Sequence, residues 1–372
     1  MSTQSTTHHS QFKQITIIGV GLIGGSLGLA IKQRFRGVTI TGVDKPSVLK
    51  KALRRGAIDR TAPNLNRAIW QADLVILASP TREILRLIRT VARHAFLRTL
   101  FTDVGSVKSA IVERASKYFP GGNFVGGHPM AGVELSGIEA AHPLLFENAV
   151  YVLTPTRRTR KRRLQQLGKF LQQLGARVVV LDAATHDKVA AALSHLPQLT
   201  AVALMNAAAR RHPQARKRLE LAAGGFRDLT RIASSPFEVW QDIVELNSEE
   251  IDRAIRLMVN ELERYRSLLK NKKLSQLAGH FDNARKLRNA IPRNMKGFLH
   301  TLSDVYVYVQ DRPGVLATMT GALAKARVNI KDMELLKIRE GSGGTFRLSF
   351  DSKEVAHKAA KILRRKGFEV EE

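Results

Sequence analysis

One histidine of this chain stands in surroundings that suit chemistry better than packing. His128 lies in the heptapeptide Gly-Gly-His-Pro-Met-Ala-Gly at residues 126–132, among small side chains that leave room for a ligand beside the imidazole. An imidazole exchanges a proton near neutral pH, so His128 is a candidate general base or acid. The same composition also suits a tight turn with a hydrogen-bonded surface histidine, and the heptapeptide alone does not separate the two interpretations.

A glycine-rich loop near the start of the chain predicts a dinucleotide site. The apolar run 15–18 leads into Gly19, Gly21 and Gly24, which fit G-x-G-x-x-G, and an apolar helix is expected over 26–35. The first glycine permits a tight turn, the second lets the backbone approach a pyrophosphate, and the third lets the helix pack on the strand. The helix N-terminus then faces the phosphates. We therefore expect an α/β, Rossmann-like dinucleotide-binding domain.

An acidic residue follows the second expected strand, 38–43, where a ribose ligand should lie. Asp44 comes twenty residues after Gly24. Its carboxylate can accept hydrogen bonds from both ribose hydroxyls and would repel a 2′-phosphate, which favours NAD over NADP, although the neighbouring Lys45 weakens this preference. The predicted cofactor contacts are Gly19, Gly21, Leu22, Ile23, Gly24, Asp44, Ser79, Pro80 and Asp103.

Further strands should bring polar residues to the same rim of the sheet. Strands are expected over 74–78 and 99–104, with Ser106 after the second, and over 123–125, just before His128. The carboxyl ends of parallel strands meet at one edge, where ligands gather. Both side chains should therefore lie beside the glycine loop, which favours a catalytic His128. Ser106 could alternatively be only the N-cap of the following helix.

The middle of the chain changes from alternating strands and helices to helices alone. Two last strands are expected over 151–155 and 178–181, and residues 186–296 then show long helical periods, typical of an all-helical domain and of a dimer interface. Helical spacing puts Asp187 and Ser194 two turns apart on one face. A buried polar pair between helices would explain these two residues equally well.

A glycine-rich stretch with two arginines is the second feature of this helical region. Residues 224–231 are expected to form a break between helices that carries Arg227 and Arg231, and Trp240 follows. A planar guanidinium binds a carboxylate through two parallel hydrogen bonds, so the stretch suits capture of an acidic substrate. A surface cluster of ion pairs is the alternative.

Taken in order, these motifs resemble the prephenate/arogenate dehydrogenase family of tyrosine biosynthesis. They are G-V-G-L-I-G-G-S at 19–26, D-V-G-S-V-K at 103–108, G-G-H-P-M-A-G at 126–132, H-D at 186–187, S-H-L-P at 194–197 and G-G-F-R-D-L-T-R at 224–231. The resemblance implies NAD-dependent oxidative decarboxylation, of prephenate to 4-hydroxyphenylpyruvate or of arogenate to tyrosine. It also implies that His128 accepts the hydroxyl proton, that Ser106 hydrogen-bonds at the reacting hydroxyl and the cofactor, and that Arg231 binds a substrate carboxylate.

Two residues depart from the family pattern. Gln198 stands where prephenate-using members often carry a histidine, and Arg227 stands where others carry a lysine. We expect prephenate as the substrate, with arogenate, or use of both, as the alternative. A reductase of the β-hydroxyacid or imine type would place a catalytic lysine in the helical domain, and the G-G-H-P motif argues against it. The remaining pocket positions implied by the resemblance are Ser194, Gln198, Arg227, Asp187 and Trp240.

The C-terminal part of the chain has a third pattern. Strands are expected over 305–309, 328–330, 335–338, 346–350 and 368–370, and helices over 315–326 and 355–365. With D-R-P-G-V-L at 311–316, this βαββαβ order resembles an ACT domain, a small α+β ferredoxin-like amino-acid sensor. The resemblance implies feedback control by an aromatic amino acid, tyrosine first, at an interface between paired ACT domains. A purely structural appendage is the alternative. The implied effector contacts are Asp311, Arg312, Pro313, Gly314, Asn329 and Ile330.

Composition sets the remaining limits. The chain has no cysteine, which excludes disulfides, thiolate metal sites and a cysteine nucleophile, and no metal site is predicted. We expect a cytoplasmic enzyme without a membrane partner, since no apolar run approaches the roughly 20 residues of a membrane span and no signal peptide is evident. The expected domains are an NAD-binding domain (1–182), a helical substrate and dimerisation domain (183–298) and an ACT domain (301–372). A chain of 372 residues is long enough for all three.

The charge is strongly positive, with 60 Lys+Arg against 32 Asp+Glu giving +28. Basic runs at 157–163, 210–218 and 270–273 follow helical segments and lack interleaved aromatic residues, which indicates solvated helix faces. A field of this sign attracts nucleic acid and anionic small molecules. A nucleic-acid-binding regulator built on a Rossmann fold is therefore the alternative class, although specific nucleic-acid binding is not expected.

Overall fold

The computed structural model describes residues 8–62, 64–131, 135–210, 219–291, 302–339 and 343–372. They belong to two compact units, Met1–Leu277 and Ala278–Glu372. Three features named above fall outside the described residues: Gly132 of the histidine heptapeptide, the basic run at 211–218, and the expected boundary between the second and third domains at 298–301.

A largely parallel sheet is the centre of the first unit. Its strands, with a short outer pair, are β1 (His8–His9), β2 (Gln14–Ile18), β3 (Phe35–Arg36), β4 (Thr39–Val43), β5 (Arg60–Thr61), β6 (Leu74–Leu77), β7 (Leu100–Asp103), β8 (Phe124–Pro129), β9 (Val150–Pro155) and β10 (Arg177–Val180). The order in the sheet is β10-β9-β8-β7-β6-β2-β4-β5, and β1 pairs with β3. All neighbours are parallel except β8 and β9. The central strands are apolar runs because both faces are covered.

Helices cover the two faces of this sheet and enclose separate apolar cores. They are α1 (Leu22–Arg34), α2 (Pro46–Arg54), α3 (Leu65–Trp70), α4 (Thr81–Ala92), α5 (Ser109–Tyr118), a 3₁₀ turn (Ile138–Ala140) and α6 (Lys161–Gln173). On one face Phe35 stacks on Phe170 with 5.0 Å between ring centroids, and on the other Phe101 contacts Phe119 at 4.8 Å. The predicted Rossmann-like domain is confirmed. The expected start of the first helix at residue 26 is wrong, because the Gly25 N–H already bonds to the Gly21 carbonyl.

The rest of the first unit is helical, as predicted. The elements are α7 (Ala183–Ala190), a π-helical turn (Ala191–His195), α8 (Leu196–Arg210), α9 (Gly224–Thr230), a 3₁₀ turn (Arg231–Ser234), α10 (Phe237–Leu246) and α11 (Ser248–Lys270), followed by α12 (Leu274–Ala290), most of which belongs to the second unit. The break expected over 224–231 is wrong. The Ala223 carbonyl accepts from Phe226 and Arg227, so a helix forms in spite of the two glycines in its first turn. No described helix is long and apolar enough to cross a membrane.

The second unit contains a four-stranded antiparallel sheet with two helices on it. Its elements are β11 (Ser303–Val309), α13 (Val315–Lys325), β12 (Asp332–Arg339), β13 (Gly343–Phe350), α14 (Lys353–Arg365) and β14 (Glu369–Glu371), and the sheet order is β12-β13-β11-β14. The predicted βαββαβ order is confirmed. The strand expected over 328–330 is wrong: Arg327 turns the chain with φ 56° and Val328 bonds back to Leu323, so pairing starts only at Asp332.

Candidate active site

The glycine loop between β2 and α1 is tightly packed except at one position. Gly19 has φ +91°, and a Cβ there would lie 2.6 Å from the Ala78 carbonyl oxygen. A Cβ on Gly24 would lie 2.0 Å from the Gly19 oxygen, whereas a Cβ on Gly21 would meet nothing within 4 Å. The open space therefore lies at the N-terminus of α1, where the backbone amides and the helix dipole suit a pyrophosphate.

Asp44 and several other predicted cofactor contacts follow the strands or begin the helix beside this opening. The Asp44 carboxylate follows β4 and accepts hydrogen bonds from the Val20 N–H at 2.7 Å and the Lys45 N–H at 2.6 Å. Each oxygen keeps acceptor capacity for a ribose hydroxyl. Leu22 and Ile23 form the half-buried first turn of α1, and Ser79 and Pro80 follow β6. The residues present therefore fit a dinucleotide.

His128 lies inside β8 and is 8% exposed, so the tight-turn interpretation is wrong. It pairs with Val152 of β9. The two preceding glycines are required by packing: a Cβ on Gly126 would lie 2.3 Å from the Thr154 hydroxyl oxygen, and one on Gly127 would lie 2.6 Å from the Asp103 carbonyl oxygen. Larger residues would push the strand that carries the histidine away from its neighbours.

A hydrogen-bonded chain of three residues connects His128 to a buried carboxylate. The Nδ1 of His128 lies 2.8 Å from the Nε2 of His186, and the Nδ1 of His186 lies 2.7 Å from the Asp187 carboxylate. A carboxylate can only accept, so the Nδ1–H of His186 donates to Asp187. In the neutral tautomer of His186, its Nε2 then accepts from the Nδ1–H of His128. The Nε2 of His128 is then left with a lone pair, as a general base requires.

Burial keeps this histidine neutral. Burial first, and then the neighbouring charges of His186, Lys108 and His195, hold the pKa of His128 well below its ordinary value. Burial likewise lowers the pKa of His195 to about 4. Burial alone would raise the pKa of Asp187, but hydrogen bonds from His186 and Ser109 lower it, so this residue is an anion. The site therefore combines a neutral imidazole with a buried carboxylate behind it.

Asp187 has a second task at the start of α5. Its two oxygens accept from the backbone N–H groups of Lys108 and Ser109, each at 2.8 Å. The carboxylate from α7 thus caps α5. The expectation that Ser106 could be the N-cap is wrong, because the helix begins at Ser109 and Ser106 lies half-buried in the preceding loop.

A buried ion pair holds the residue next to His128. Lys108 and Asp103 form a salt bridge with both side chains fully buried. The Lys108 ammonium donates to the Gly127 carbonyl at 2.7 Å, and the Asp103 carboxylate accepts from the Gly127 N–H at 3.1 Å and the Gly105 N–H at 2.8 Å. The pair therefore ties the loop containing Ser106 to the strand containing His128. Asp103 was predicted to contact the cofactor, whereas its buried carboxylate bonds to Lys108 and to two backbone N–H groups. Lys108 belongs to the D-V-G-S-V-K motif, but the sequence predicted no separate role for it.

The π-helical turn changes which residues of the S-H-L-P motif are buried. Asp187 and His195 are buried and Ser194 is half-buried, and the π-helical turn at Ala191–His195 interrupts the regular α-helical spacing from which Asp187 and Ser194 were expected on one face. The Asn247 amide donates to the Asp187 carbonyl at 2.9 Å and lies 3.2 Å from the His195 Nδ1. The edge of the His195 ring faces Trp240, with centroids 6.0 Å apart. Sequence reasoning missed Asn247, which stands in no motif.

The arginine-bearing segment is anchored by Gln198. This buried amide donates to the Ile232 carbonyl at 3.0 Å, next to Arg231 at the start of the 3₁₀ turn. Arg227 is exposed, and its Nε donates to the Ala222 carbonyl at 3.0 Å. The structure therefore connects Gln198 to the Arg231 turn, whereas Arg227 bonds within its own segment.

A cavity of about 410 Å³ lies in the second unit, between α13 and the sheet. Three of the residues predicted as effector contacts, Asp311, Arg312 and Gly314, line it. Pro313, Asn329 and Ile330 do not belong to its wall, and Asn329 is exposed in the connection before β12. The other lining residues are Val309, Gln310, Val315, Leu316, Ala317, Leu335, Gly343, Gly344 and Phe346.

The fold and the site together define a class of enzyme. A glycine loop with open space at a helix N-terminus lies at the carboxyl rim of a parallel sheet, and a neutral buried histidine lies at the same rim. These are the parts of a dehydrogenase that passes hydride to a dinucleotide and a proton to a base.

Comparison with known proteins gives the family. The model for the nucleotide-binding domain of prephenate dehydrogenase matches residues 27–180, that for its dimerization domain matches 182–283, and the ACT domain model matches 303–368. A prephenate dehydrogenase of Bacillus subtilis is 35% identical over 355 residues, covering 94% of this chain and 95% of that relative. The chain belongs to the prephenate dehydrogenase family.

Two solved structures agree with this assignment. Prephenate dehydrogenase from Aquifex aeolicus, in complex with hydroxyphenyl propionate and NAD+, is 30% identical with a TM-score of 0.70, covering 75% of this chain and 98% of that one. Synechocystis arogenate dehydrogenase is 31% identical with a TM-score of 0.67, covering 74% of this chain and 99% of that one.

Two glycine substitutions should separate cofactor binding from folding. Gly21→Ala should leave the melting temperature unchanged, because its Cβ would meet no protein atom within 4 Å. It should weaken NAD binding at least about tenfold, because the methyl group occupies the opening at the helix N-terminus. Gly24→Ala should destabilise the fold by about 1–3 kcal/mol, since its Cβ overlaps the Gly19 oxygen. Calorimetry and NAD titration measure the two effects; equal melting temperatures for both variants would contradict this description of the loop.

The pH dependence of the reaction should follow the lowered pKa of His128. A base acts when unprotonated, so kcat/KM should fall as the pH falls through this pKa, about tenfold per pH unit. Because the pKa lies well below 6.5, the profile should still be flat at pH 6.5 and fall only at more acidic values. A pH profile of kcat/KM measures this, and an acid limb at or above pH 6.5 would show that the histidine is not kept neutral by its surroundings.

Proposed function

We propose that this protein is an NAD-dependent prephenate dehydrogenase, which converts prephenate to 4-hydroxyphenylpyruvate in tyrosine biosynthesis. The observation that carries the proposal is the chain from His128 through His186 to Asp187, at the rim that also contains the glycine loop. In the neutral tautomer of His186 this chain leaves the Nε2 of His128 unprotonated. Gly19, Gly21, Gly24 and the residues around them would hold the dinucleotide, with Asp44 at the ribose. When bound, the nicotinamide supplies the acceptor for hydride.

His128 handles the proton in this mechanism. As hydride leaves the carbinol carbon, the Nε2 of His128 takes the hydroxyl proton and the carbonyl forms. The new positive charge is shared through the Nδ1–H bond to His186 and stabilised by Asp187 behind it. Ser106, in the loop between β7 and α5, orients the reacting hydroxyl.

Loss of carbon dioxide completes the reaction. The bond from the ring to its carboxylate breaks, the electron pair enters the ring, and the aromatic phenolate forms. The protonated His128 can return its proton to the phenolate oxygen, which restores the neutral base. Arg231 binds a substrate carboxylate through its guanidinium. Gln198 acts on this step indirectly, because it bonds to the backbone of the turn in which Arg231 lies.

Arogenate is the alternative substrate, since the related Synechocystis enzyme is an arogenate dehydrogenase. The two substrates differ at the side chain, where prephenate has a keto group and arogenate an amino group. In this chain one N–H of the Gln198 amide bonds to the Ile232 carbonyl. The oxygen and second N–H of this amide, together with Ser194, Arg227 and Trp240, are the candidates for selecting between the two substrates.

Steady-state kinetics test the proposal. NADH or NADPH formation is followed with prephenate and with arogenate, each in the presence of NAD and of NADP. The highest kcat/KM is expected for prephenate with NAD, together with release of carbon dioxide and 4-hydroxyphenylpyruvate. A higher value with arogenate would move the assignment to arogenate dehydrogenase, and no turnover with either substrate would overturn it.

We also propose that the enzyme is a homodimer formed through the helical region, which the dimerization domain model covers. Large apolar side chains of this region are exposed in the single chain: Leu193, Leu221, Leu229, Phe237 and Leu257. Burying such a patch between two copies is favourable, as in most symmetric oligomers. Analytical ultracentrifugation at working concentrations should show a dimer.

The C-terminal cavity would bind the regulatory amino acid, with tyrosine as the first candidate. Its wall combines the charged Asp311 and Arg312 with apolar groups such as Leu316 and Phe346, which suits a zwitterion with an aromatic side chain. Filling the cavity with Ala317→Trp should abolish inhibition by tyrosine and leave uninhibited turnover unchanged. Ala324→Trp is the matched control, because Ala324 is exposed on the same helix away from the cavity. Tyrosine inhibition that survives in Ala317→Trp would place the control elsewhere.

A further inference from the structure

The edge of the large sheet opposite the active-site rim carries a surface with aromatic rings and many cations. Trp70 ends α3 just before β6, residues 96–98 precede β7, and Gly122 precedes β8. These are the amino ends of strands whose carboxyl ends point towards the glycine loop and His128. Whatever binds at this edge therefore binds apart from the reaction.

An exposed aromatic pair is the first part of this surface. Trp70 is 62% exposed and meets Phe96, itself 37% exposed, in an edge-to-face pair with centroids 5.2 Å apart. The Arg98 guanidinium lies 5.3 Å from the centre of the Phe96 ring and donates to the Trp70 carbonyl at 3.3 Å. A tryptophan is a large apolar residue to leave in water. Its ring is held in a fixed orientation by neighbours that do not cover it.

The basic start of α6 joins this aromatic pair. The Arg163 guanidinium donates to the Leu97 and Arg98 carbonyls at 2.9 and 2.8 Å, and the Arg160 N–H bonds to the Gly122 carbonyl at 3.3 Å. The cationic residues next to them are all exposed: Arg157, Arg158, Arg160, Lys161 and Arg162. The basic run contains no aromatic residue in the sequence, as expected, but the fold places it beside the Trp70–Phe96 pair.

Nothing in the described chain neutralises these cations. No Asp or Glu occurs from residue 148 to 181 or from 84 to 102. Among the residues that the structure describes, neither Arg98 nor any cation of the run 157–163 forms an ion pair. Burial, and then the charges of Arg160 and Arg162, lower the pKa of Arg163. A concentrated positive potential of this kind attracts an external polyanion.

We propose that Trp70, Phe96, Arg98, Arg163 and the run 157–162 form a sequence-independent binding surface for single-stranded nucleic acid. The cations would follow successive phosphates, and the exposed Trp70 ring would stack on a base, which is the usual combination in proteins that bind single strands. An anionic membrane fits less well, because α6 buries its apolar face through Leu167, Phe170 and Leu171 and has none to insert.

Fluorescence anisotropy with a labelled oligothymidine tests the proposal on the full-length protein. Three proteins are compared with the unmodified one: Trp70→Ala, the triple variant Arg160→Glu/Lys161→Glu/Arg162→Glu, and a control with the same change of charge, Lys353→Glu/Lys358→Glu/Lys361→Glu. The control residues are exposed on α14 in the second unit. Trp70→Ala should weaken binding at least about fivefold through lost stacking. The α6 variant should weaken it further and reduce the slope of log K against log salt by about 2.

Several results would overturn the proposal. Equal losses of oligonucleotide affinity in the α6 variant and the α14 control would indicate an effect of net charge alone. Unchanged affinity in Trp70→Ala would show that the Trp70 ring does not contact a base. Displacement of the oligonucleotide by saturating NAD would place it in the cofactor site instead. Binding to anionic phosphatidylserine vesicles without binding to the oligonucleotide would assign the surface to membranes. Dehydrogenase turnover should be the same in all four proteins, so this test is independent of the proposed activity.

Discussion

The His128→Asn enzyme is expected to keep its affinity for NAD and to lose kcat by about 10²–10⁴-fold, the usual contribution of a general base. Asparagine can donate to His186 as the Nδ1–H of His128 does, so the β8 strand should stay in place. Its amide cannot accept the hydroxyl proton from the substrate. Single-turnover and steady-state kinetics measure the loss, and fluorescence titration measures NAD affinity.

The control for this variant is His142→Asn. His142 lies in the same unit, is exposed, and its Nδ1 accepts from the Leu144 N–H, a bond that an asparagine oxygen can replace. Its kcat should equal that of the unmodified enzyme. If His128→Asn also kept its kcat, another group would have to be the base, and the chain through His186 would have only a structural role.

Asp187→Asn should have an effect of similar size although Asp187 is not placed at the substrate. Its carboxylate receives three hydrogen bonds, from the His186 ring and from the Lys108 and Ser109 N–H groups. An amide would turn its NH2 towards at least one of these donors. If His186 reverses its tautomer, His128 must donate from Nε2 and no longer has a lone pair for the substrate. The equivalent change in the serine protease triad costs about 10⁴ in kcat, so a loss of about 10²–10⁴ is expected here.

The same variant should also lose stability, by about 1–3 kcal/mol for a buried donor left unpaired. Asp182→Asn is the matched control: Asp182 caps α7 by accepting from the Thr185 N–H, is exposed, and asparagine caps helices equally well. A loss of stability in Asp187→Asn with undiminished kcat would show that the carboxylate only caps α5. If the activity of Asp187→Asn were instead restored at higher pH, the substitution would have changed the pKa of the base, and the hydrogen-bonded chain from His128 through His186 would still function.

Much of the architecture could be predicted from local patterns. The glycine loop is recognisable because the turn at Gly19 and the contact between Gly24 and Gly19 admit no side chain, whatever the rest of the fold. The strands β2, β4, β6 and β7 are recognisable because burial on both faces requires continuous apolar runs. The C-terminal order of strands and helices follows from equally local alternation. In each case the physical requirement acts on neighbouring residues.

The remaining parts depend on contacts between distant segments. His128 and His186 are 58 residues apart, and the capping of α5 by Asp187 joins positions 78 and 79 residues apart. The pattern around Ser106 indicates a helix N-terminus but not that another helix provides the cap. The π-helical turn moved His195 into the core in place of Ser194, because helical spacing assumes a regular α-helix. Gln198 stands where prephenate-using members of the family often carry a histidine, and its amide bonds to the Ile232 carbonyl. A comparison of residue types at this position cannot predict a bond to the backbone of a distant segment.

The protonation of His128 can be measured directly with ¹⁵N-histidine NMR of the full-length protein at neutral pH, with the signals of His128 assigned from their absence in His128→Asn. We expect a neutral imidazole whose proton is on Nδ1, with the Nε2 shift of an unprotonated nitrogen. In Asp187→Asn the neutral form should change to one protonated on Nε2. A spectrum in which the unmodified His128 is an imidazolium, or carries its proton on Nε2, would contradict its role as the base.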